Sequence, residues 1–244
     1  DGVIFDNDGV VVCFAAGNDR TDDEDMDGGT LPPPRALPPN DDDDFDGTYY
    51  DTPGLSRPFY DCVSDHGSAK NVITVGALNE VGGVVTDFSC IGPANDGRIK
   101  PDVVAVGENV YSADNGADDD YTSMDGTSMA TPTTTGITAL LIEYHRSELG
   151  STPDGAFMKG LLVQTAEDLG LGLGFVGPDA VYGYGRVDAE AAVDLMAAQA
   201  VDGHYQIHEG ALSNGGSEDF YVRVSAAGTE LKVTLCWLDP QGEP

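Results

Sequence analysis

The chain has 244 residues, 40% of them hydrophobic, which suits one large domain, or one domain and part of another, and argues against wholesale disorder. Its 43 acidic residues outnumber 11 basic ones, for a formal net charge of -32; that excludes nucleic acid as a partner, because neutralising phosphate requires clustered Lys and Arg. The longest apolar stretch, Val10 to Ala16, is far short of the roughly 18 residues that span a bilayer, so no membrane partner is expected.

A surface this acidic repels itself at low ionic strength and is screened as salt rises. That fits a secreted protein, and a saline habitat and an ordinary bacterial exporter fit it equally. The chain opens on Asp1-Gly2 and a strand-like run rather than a basic leader, so further sequence is expected upstream. Cys13, Cys62, Cys90 and Cys236 show no CxxC spacing, which argues against zinc. Cys13 sits inside an apolar run and reads as a buried free thiol; a Cys62–Cys90 bridge is left open.

Val10 to Phe14 reads as a strand buried on both faces, as in a parallel sheet, and it ends in the turn Ala15-Ala16-Gly17-Asn18. Residues 19–60 are rich in Asp, Pro and Gly and read as an acidic surface insert. Strands return at Asn71–Ala77 and Val103–Val106. A helix is predicted from Ser128 or just before it, with Pro132 in its first turn and an apolar stripe of Ile137, Leu140, Leu141 and Tyr144. Two more helices are predicted, around Gly155–Glu167 and Asp188–Gln199. Strands separated by helices predict an α/β layer architecture. After Val201 the pattern alternates instead, in Tyr205–His208, Phe220–Val224 and Leu231–Leu235, which predicts the opening strands of an antiparallel β domain over 202–244. The chain therefore reads as cut at both ends.

A serine hydroxyl is a poor nucleophile until a base takes its proton and donors stabilise the oxyanion. A helix N-terminus supplies such donors, and Gly126-Thr127-Ser128 leads into one. Serine is also a common helix cap, so the neighbouring residues have to decide. Gly126-Thr127-Ser128-Met129-Ala130-Thr131-Pro132 resembles the active-site serine motif of the subtilisin-like serine proteases (subtilases) at every position. Four more segments agree in order: Ala15-Ala16-Gly17-Asn18, Gly67–Ala77, Asp96–Ala105 and Gly183–Asp188. The likeness is closest to alkaline subtilases with a C-terminal β jelly-roll, Trp237-Leu238-Asp239 matching a Trp-x-Asp-like element beyond the closing helix.

The resemblance implies a three-layer αβα fold with a mostly parallel sheet over residues 1–201, followed by a jelly-roll-like domain. It implies an extracellular, monomeric endopeptidase acting on proteins or peptides through an acyl-enzyme. Ser128 would be the nucleophile, and Asn18 an oxyanion donor together with the Ser128 N–H. Ala15, Ala16, Gly17 and Gly67 would line the S1 pocket. No cofactor is needed for this chemistry. The usual Phe-Ser-Ser-x-Gly-Pro reads Phe88-Ser89-Cys90-Ile91-Gly92-Pro93, Val106 replaces the usual Pro before Gly107, and His66 stands before Gly67 where many relatives carry Pro.

In the family's order the catalytic Asp and His precede the oxyanion Asn. The seventeen residues before Asn18 hold no His. His66, His145, His204 and His208 all follow it and read as surface or pocket-lining residues. The 244-residue chain alone is therefore expected not to turn over peptides, because the triad acts as a unit. Asp23–Gly28 and Asp42–Gly47 each fit the first half of a D-x-D-x-D-G calcium loop, but the twelfth position is Pro34 in one and Pro53 in the other. A solvated acidic loop explains them better; structural Ca²⁺ is implied by the resemblance alone.

Two other readings compete. The G-x-S-x-G elbow of α/β-hydrolases would use His204 or His208, but it requires an apolar strand before the serine, and Tyr121–Asp125 does not read as one. A catalytically silent, acidic binding module would have no reason to keep both Ser128 and Asn18.

Overall fold

The computed structural model describes residues 9–21, 62–81, 83–170, 177–202, 206–222 and 231–240, with Asp6 and Gly228. Most of the acidic insert, both D-x-D-x-D-G motifs and His204 lie outside the described residues.

Three strands form a parallel sheet: β1 (Cys13–Ala15), β2 (Ile73–Leu78) and β3 (Val103–Val106), in the order β1-β2-β3. Every residue of β2 is buried, as the uninterrupted apolar run of a central parallel strand requires. β1 is shorter than the predicted Val10–Phe14 and only half-buried, because it lies at the sheet edge. One face of β2, with Ile73, Val75 and Ala77, joins Leu141, Met158, Leu162 and Met196 in the core. On the other face Thr74 Oγ1 donates to Gly67 O at 2.5 Å, and Gly76 lies against Pro101 and Ser89.

The helices are α1 (Asp65–Ser68), α2 (Thr127–Tyr144), α3 (Gly155–Thr165) and α4 (Ala189–Asp202), with one π-turn at His145–Leu149 prolonging α2. Together with the parallel sheet they make an α/β fold. Asp154 caps α3, its Oδ1 accepting the Phe157 N–H at 2.7 Å. Of the predicted stripe on α2, Leu141 is in the core and Ile137 and Tyr144 pack against it, but Leu140 is 66% exposed, and the fully buried positions also include Thr127, Ala130, Thr134 and Thr138. Threonine tolerates this burial because the hydroxyls are satisfied, Thr134 donating to Ala130 O and Thr138 to Thr134 O one turn back, and Thr127 to Asn18 Oδ1. Small side chains there let the helix sit close on the sheet. Pro132 lies in the second turn rather than the first, which deprives the Ser128 carbonyl of its usual i+4 donor.

Two findings depart further from the sequence. Val110–Ala113 (β4) and Tyr121–Met124 (β5) form an antiparallel hairpin, so the residues before the serine are a strand after all. That strand is largely exposed, unlike the buried strand of a hydrolase elbow. In the C-terminal segment, described residues 206–222 and 231–240 form no strand ladder. Residues 231–240 instead lie along α3 and the start of β2. Thr234 Oγ1 donates to Gln164 Oε1 at 2.7 Å, and Asp239 exchanges two 2.8 Å bonds with the Asn71 side chain.

Behind the sheet sits a buried ion cluster. Asp102, 3% exposed, accepts from Lys100 Nζ at 2.7 Å, Lys159 Nζ at 2.9 Å and Thr74 N at 2.8 Å. Lys100, 1% exposed, also donates to Thr74 Oγ1 and Val72 O. Every member has its partners, as buried charges require, and the cluster ties β2, β3 and α3 together.

Candidate active site

Ser128 is exposed, in the first turn of the 18-residue helix α2. The cap residue, Gly126, has no side chain, and Asn18 takes over the capping from across the fold. Its Oδ1 accepts from Thr127 N at 2.8 Å and Thr127 Oγ1 at 2.9 Å. Because Thr127 N–H can only donate, the acceptor must be the amide oxygen, and this fixes which way the amide points. Nδ2 has no hydrogen-bond partner among the described residues and lies 3.4 Å from where a Gly126 Cβ would stand. Gly126 has φ +153, so it supplies both the backbone conformation and the space beside that amide.

The remaining donors of the first turn are accounted for. Met129 N and Ala130 N both donate to Gly126 O, at 3.0 and 3.4 Å. That leaves the Ser128 N–H without a partner among the described residues.

The other predicted site residues fall into two groups. Ala15 lines an open groove of about 780 Å³ with Phe14, Ser128, Thr131 and Pro132. Gly17 donates its N–H to Thr127 Oγ1 at 3.2 Å, so it too belongs to this constellation. Ala16 is fully buried, its N–H on Val75 O and its carbonyl accepting from Ser64 N. Gly67 is buried in α1, where a Cβ would meet Ser64, Val63 and Thr74 at 3.1 to 3.2 Å. These two brace the wall from behind. Thr127 is the residue that sequence reasoning passed over, although it sits inside the serine motif; its hydroxyl joins Gly17 to Asn18.

No histidine is among the residues lining the groove. His66 stacks on Phe14, ring centroids 5.2 Å apart. His145 is buried, with Nδ1 2.8 Å from Ser151 O and its ring edge-on to Phe157. His208 pairs with Glu218. Among the described residues no cluster of His, Cys, Asp or Glu is arranged to hold a metal, and no helix is long and apolar enough to cross a membrane.

Gly17 has φ +118 and its would-be Cβ lies 3.0 Å from Cys90 Sγ. Gly17→Ala is expected to cost about 1–3 kcal/mol of stability, read as a lowered urea midpoint; an unchanged midpoint would contradict the packing described.

The structure thus brings together a serine at a helix N-terminus, a fixed amide and an open groove. The chain belongs to the subtilase family, whose sequence profile matches residues 4–185. It is 37% identical over 137 residues to the halolysin-like extracellular serine protease Nep of Natrialba magadii, covering 53% of this chain and 22% of that protein. It is 34% identical over 110 residues to the serine protease AprX of Bacillus subtilis, covering 38% and 25%. The chain thus spans about a quarter or less of these relatives' length. Among solved structures, the CspB protease of Clostridium perfringens superposes with a TM-score of 0.51 at 29% identity, over 57% of this chain and 29% of that one. The prenylagaramide maturation protease PagA shares the fold, with a TM-score of 0.51 at 20% identity over 76% of this chain and 50% of its own.

Proposed function

We propose that this chain is the nucleophile-bearing part of a secreted serine endopeptidase, monomeric and acting on proteins or peptides. Ser128 Oγ attacks the peptide carbonyl and forms an acyl-enzyme, and Asn18 Nδ2 and the Ser128 N–H bond the oxyanion. The observation that supports this reading is the pair of hydrogen bonds that Thr127 N and Oγ1 donate to Asn18 Oδ1, which turns the donor end of the amide away from Thr127 before substrate arrives. Ala15 and the groove around it receive the substrate side chain.

The base and its carboxylate come from sequence preceding Asn18, as the family's order implies. The 244-residue chain alone then shows no turnover of a casein or peptide substrate, whereas the intact protein does. Hydrolysis by the isolated chain that disappears in Ser128→Ala would overturn the division of labour. An intact protein that binds peptides without cleaving them would favour the silent module.

Residues 202–244 are read as the start of a β domain of the kind that follows the catalytic domain in alkaline subtilases. The docking of Asp239 on Asn71 supports a fixed junction there. The chemistry uses no metal; structural Ca²⁺ on the acidic motifs is proposed from family likeness, and a calorimetric titration without heat would dismiss it.

Thr127 acts as a positioning residue. Thr127→Val keeps the N–H bond to Asn18 but removes the hydroxyl bonds to Asn18 and Gly17. In the intact enzyme kcat is expected to fall about tenfold, as for one or two hydrogen bonds lost, with KM unchanged. Thr127→Ser should restore most of it. A change in KM alone would contradict the assignment.

A further inference from the structure

All four cysteines are free thiols in the structure, and two of them meet behind the turn that carries Asn18. Cys62 Sγ accepts the N–H of Ile91, the residue directly after Cys90, at 3.3 Å, so the two thiols lie close enough to act on each other's charge. A Cβ on Gly17 would lie 3.0 Å from Cys90 Sγ and 3.3 Å from Cys62 O. Cys90 N donates to Gly17 O, and Ser64 N to Ala16 O, both at 2.9 Å. The two cysteines thus grip the oxyanion turn from opposite strands of chain. The Arg20 guanidinium, tied to Thr86 O at 3.3 Å, is close enough for its charge to act on both sulfurs. Cys13 lies elsewhere, in β1, where it lines the groove with Ser128 and Thr135.

We propose that Cys62 and Cys90 are a dithiol–disulfide site, whose oxidation fastens the chain re-entering at Cys62 to the wall behind Asn18. The serine chemistry uses neither thiol, so the site stands whether or not the protease reading does. The oxidant is a small disulfide such as oxidised glutathione. Cys62 is part-exposed and Cys90 fully buried, so the oxidant reaches Cys62 first. The Cys90 thiol, the Ile91 N–H and Arg20 hold the Cys62 thiol below its ordinary value. The same contact, together with burial, pushes Cys90 up. Cys62 is therefore the attacking thiolate and Cys90 the resolving thiol.

The Cys62 thiolate attacks one sulfur of the small disulfide, forming a mixed disulfide and releasing one thiolate. Cys90 gives its proton to that thiolate and attacks Cys62 Sγ, expelling the second. Two protein thiols are oxidised and one small disulfide is reduced to two thiols, which end with both protons.

The protein carrying this chain is treated with oxidised glutathione, its remaining thiols are alkylated, and an unreduced digest is mapped by mass spectrometry. The expected result is one linked pair of peptides containing Cys62 and Cys90, with Cys13 and Cys236 alkylated. Against a dithiothreitol-treated control, Tm rises by roughly 5–10 °C, as for a closed loop of this length. In Cys62→Ser/Cys90→Ser the redox difference in Tm vanishes. Alkylation of both Cys62 and Cys90 after oxidation, or a Cys62 that keeps glutathione or joins another cysteine, overturns the proposal. Linkage without a rise in Tm overturns the fastening role.

Discussion

In the intact protein, Ser128→Ala is expected to lower kcat by a factor on the order of 10⁶, a magnitude known from a subtilase relative rather than from this structure. The variant should fold normally, because the serine side chain is exposed and the helix cap is supplied by Asn18, not by Ser128. Asn18→Asp separates the two jobs of that residue. Aspartate keeps an acceptor for Thr127 N and Oγ1, so the cap and the Tm should survive. It puts an anionic oxygen where Nδ2 stood, so oxyanion stabilisation is lost and kcat drops by at least the order of 10²–10³ that one donor is worth in this family. A kinetic assay with a chromogenic peptide beside a melting curve decides it. Activity within roughly tenfold of the parent for either variant would contradict the assigned roles.

The second large effect is on stability. Asp102→Ala should cost about 3–5 kcal/mol, because it leaves Lys100 and Lys159 facing each other in the interior without an anion. Equilibrium urea unfolding would show it; a loss under about 1 kcal/mol would mean the cluster relaxes to solvent. The two partners respond to burial in opposite ways. Burial alone would raise the Asp102 carboxyl, but Lys159 and Lys100 outweigh it and hold the group below the ordinary carboxylate range. Lys100 is pushed down to about 8, first by burial and further by Lys159, against the pull of Asp102. The difference has a simple cause: one carboxylate sees two cations, while each lysine shares one anion.

The depressed Asp102 contributes stability above about pH 4 and loses it as the pH falls through its lower folded value. Between about pH 8 and 10.5 the unfolded chain holds the Lys100 proton more tightly than the folded one, so stability rises with pH in that window. Asp102→Ala should abolish the acid-side part of this profile.

The central strands and the start of α2 were legible because their signals are local. Asn71–Ala77 and Val103–Val106 are continuous apolar runs, and Gly126-Thr127-Ser128 marks a helix entry. The hairpin of β4 and β5 was not, because its strands are largely exposed. It is held by its ladder and the Tyr111–Tyr121 stack rather than by burial. Three of the four stripe residues of α2 meet the core, but the buried threonines beside them were not legible, because a pattern that counts threonine as polar cannot anticipate hydroxyls satisfied one turn back. Alternation in 231–235 suggested a strand, but alternation specifies only the two faces of a segment, and pairing needs a neighbour. The placement of Ser128 at the entry of α2 and of Asn18 in the turn after β1 was readable from their motifs. The role of Thr127 as the link between them depends on a contact 109 residues long in sequence.

The position of β1 at the sheet edge bears on how this chain behaves in bulk solution. An edge strand offers a row of N–H and C=O groups to any other extended chain, and two copies meeting there could stack into a growing β-ribbon. The formal charge of -32 guards that edge, since two copies must approach against their mutual repulsion. Near the isoelectric point of about 4.1 the guard is gone. Acidifying the isolated chain to that range should therefore bring on turbidity and thioflavin-positive assemblies.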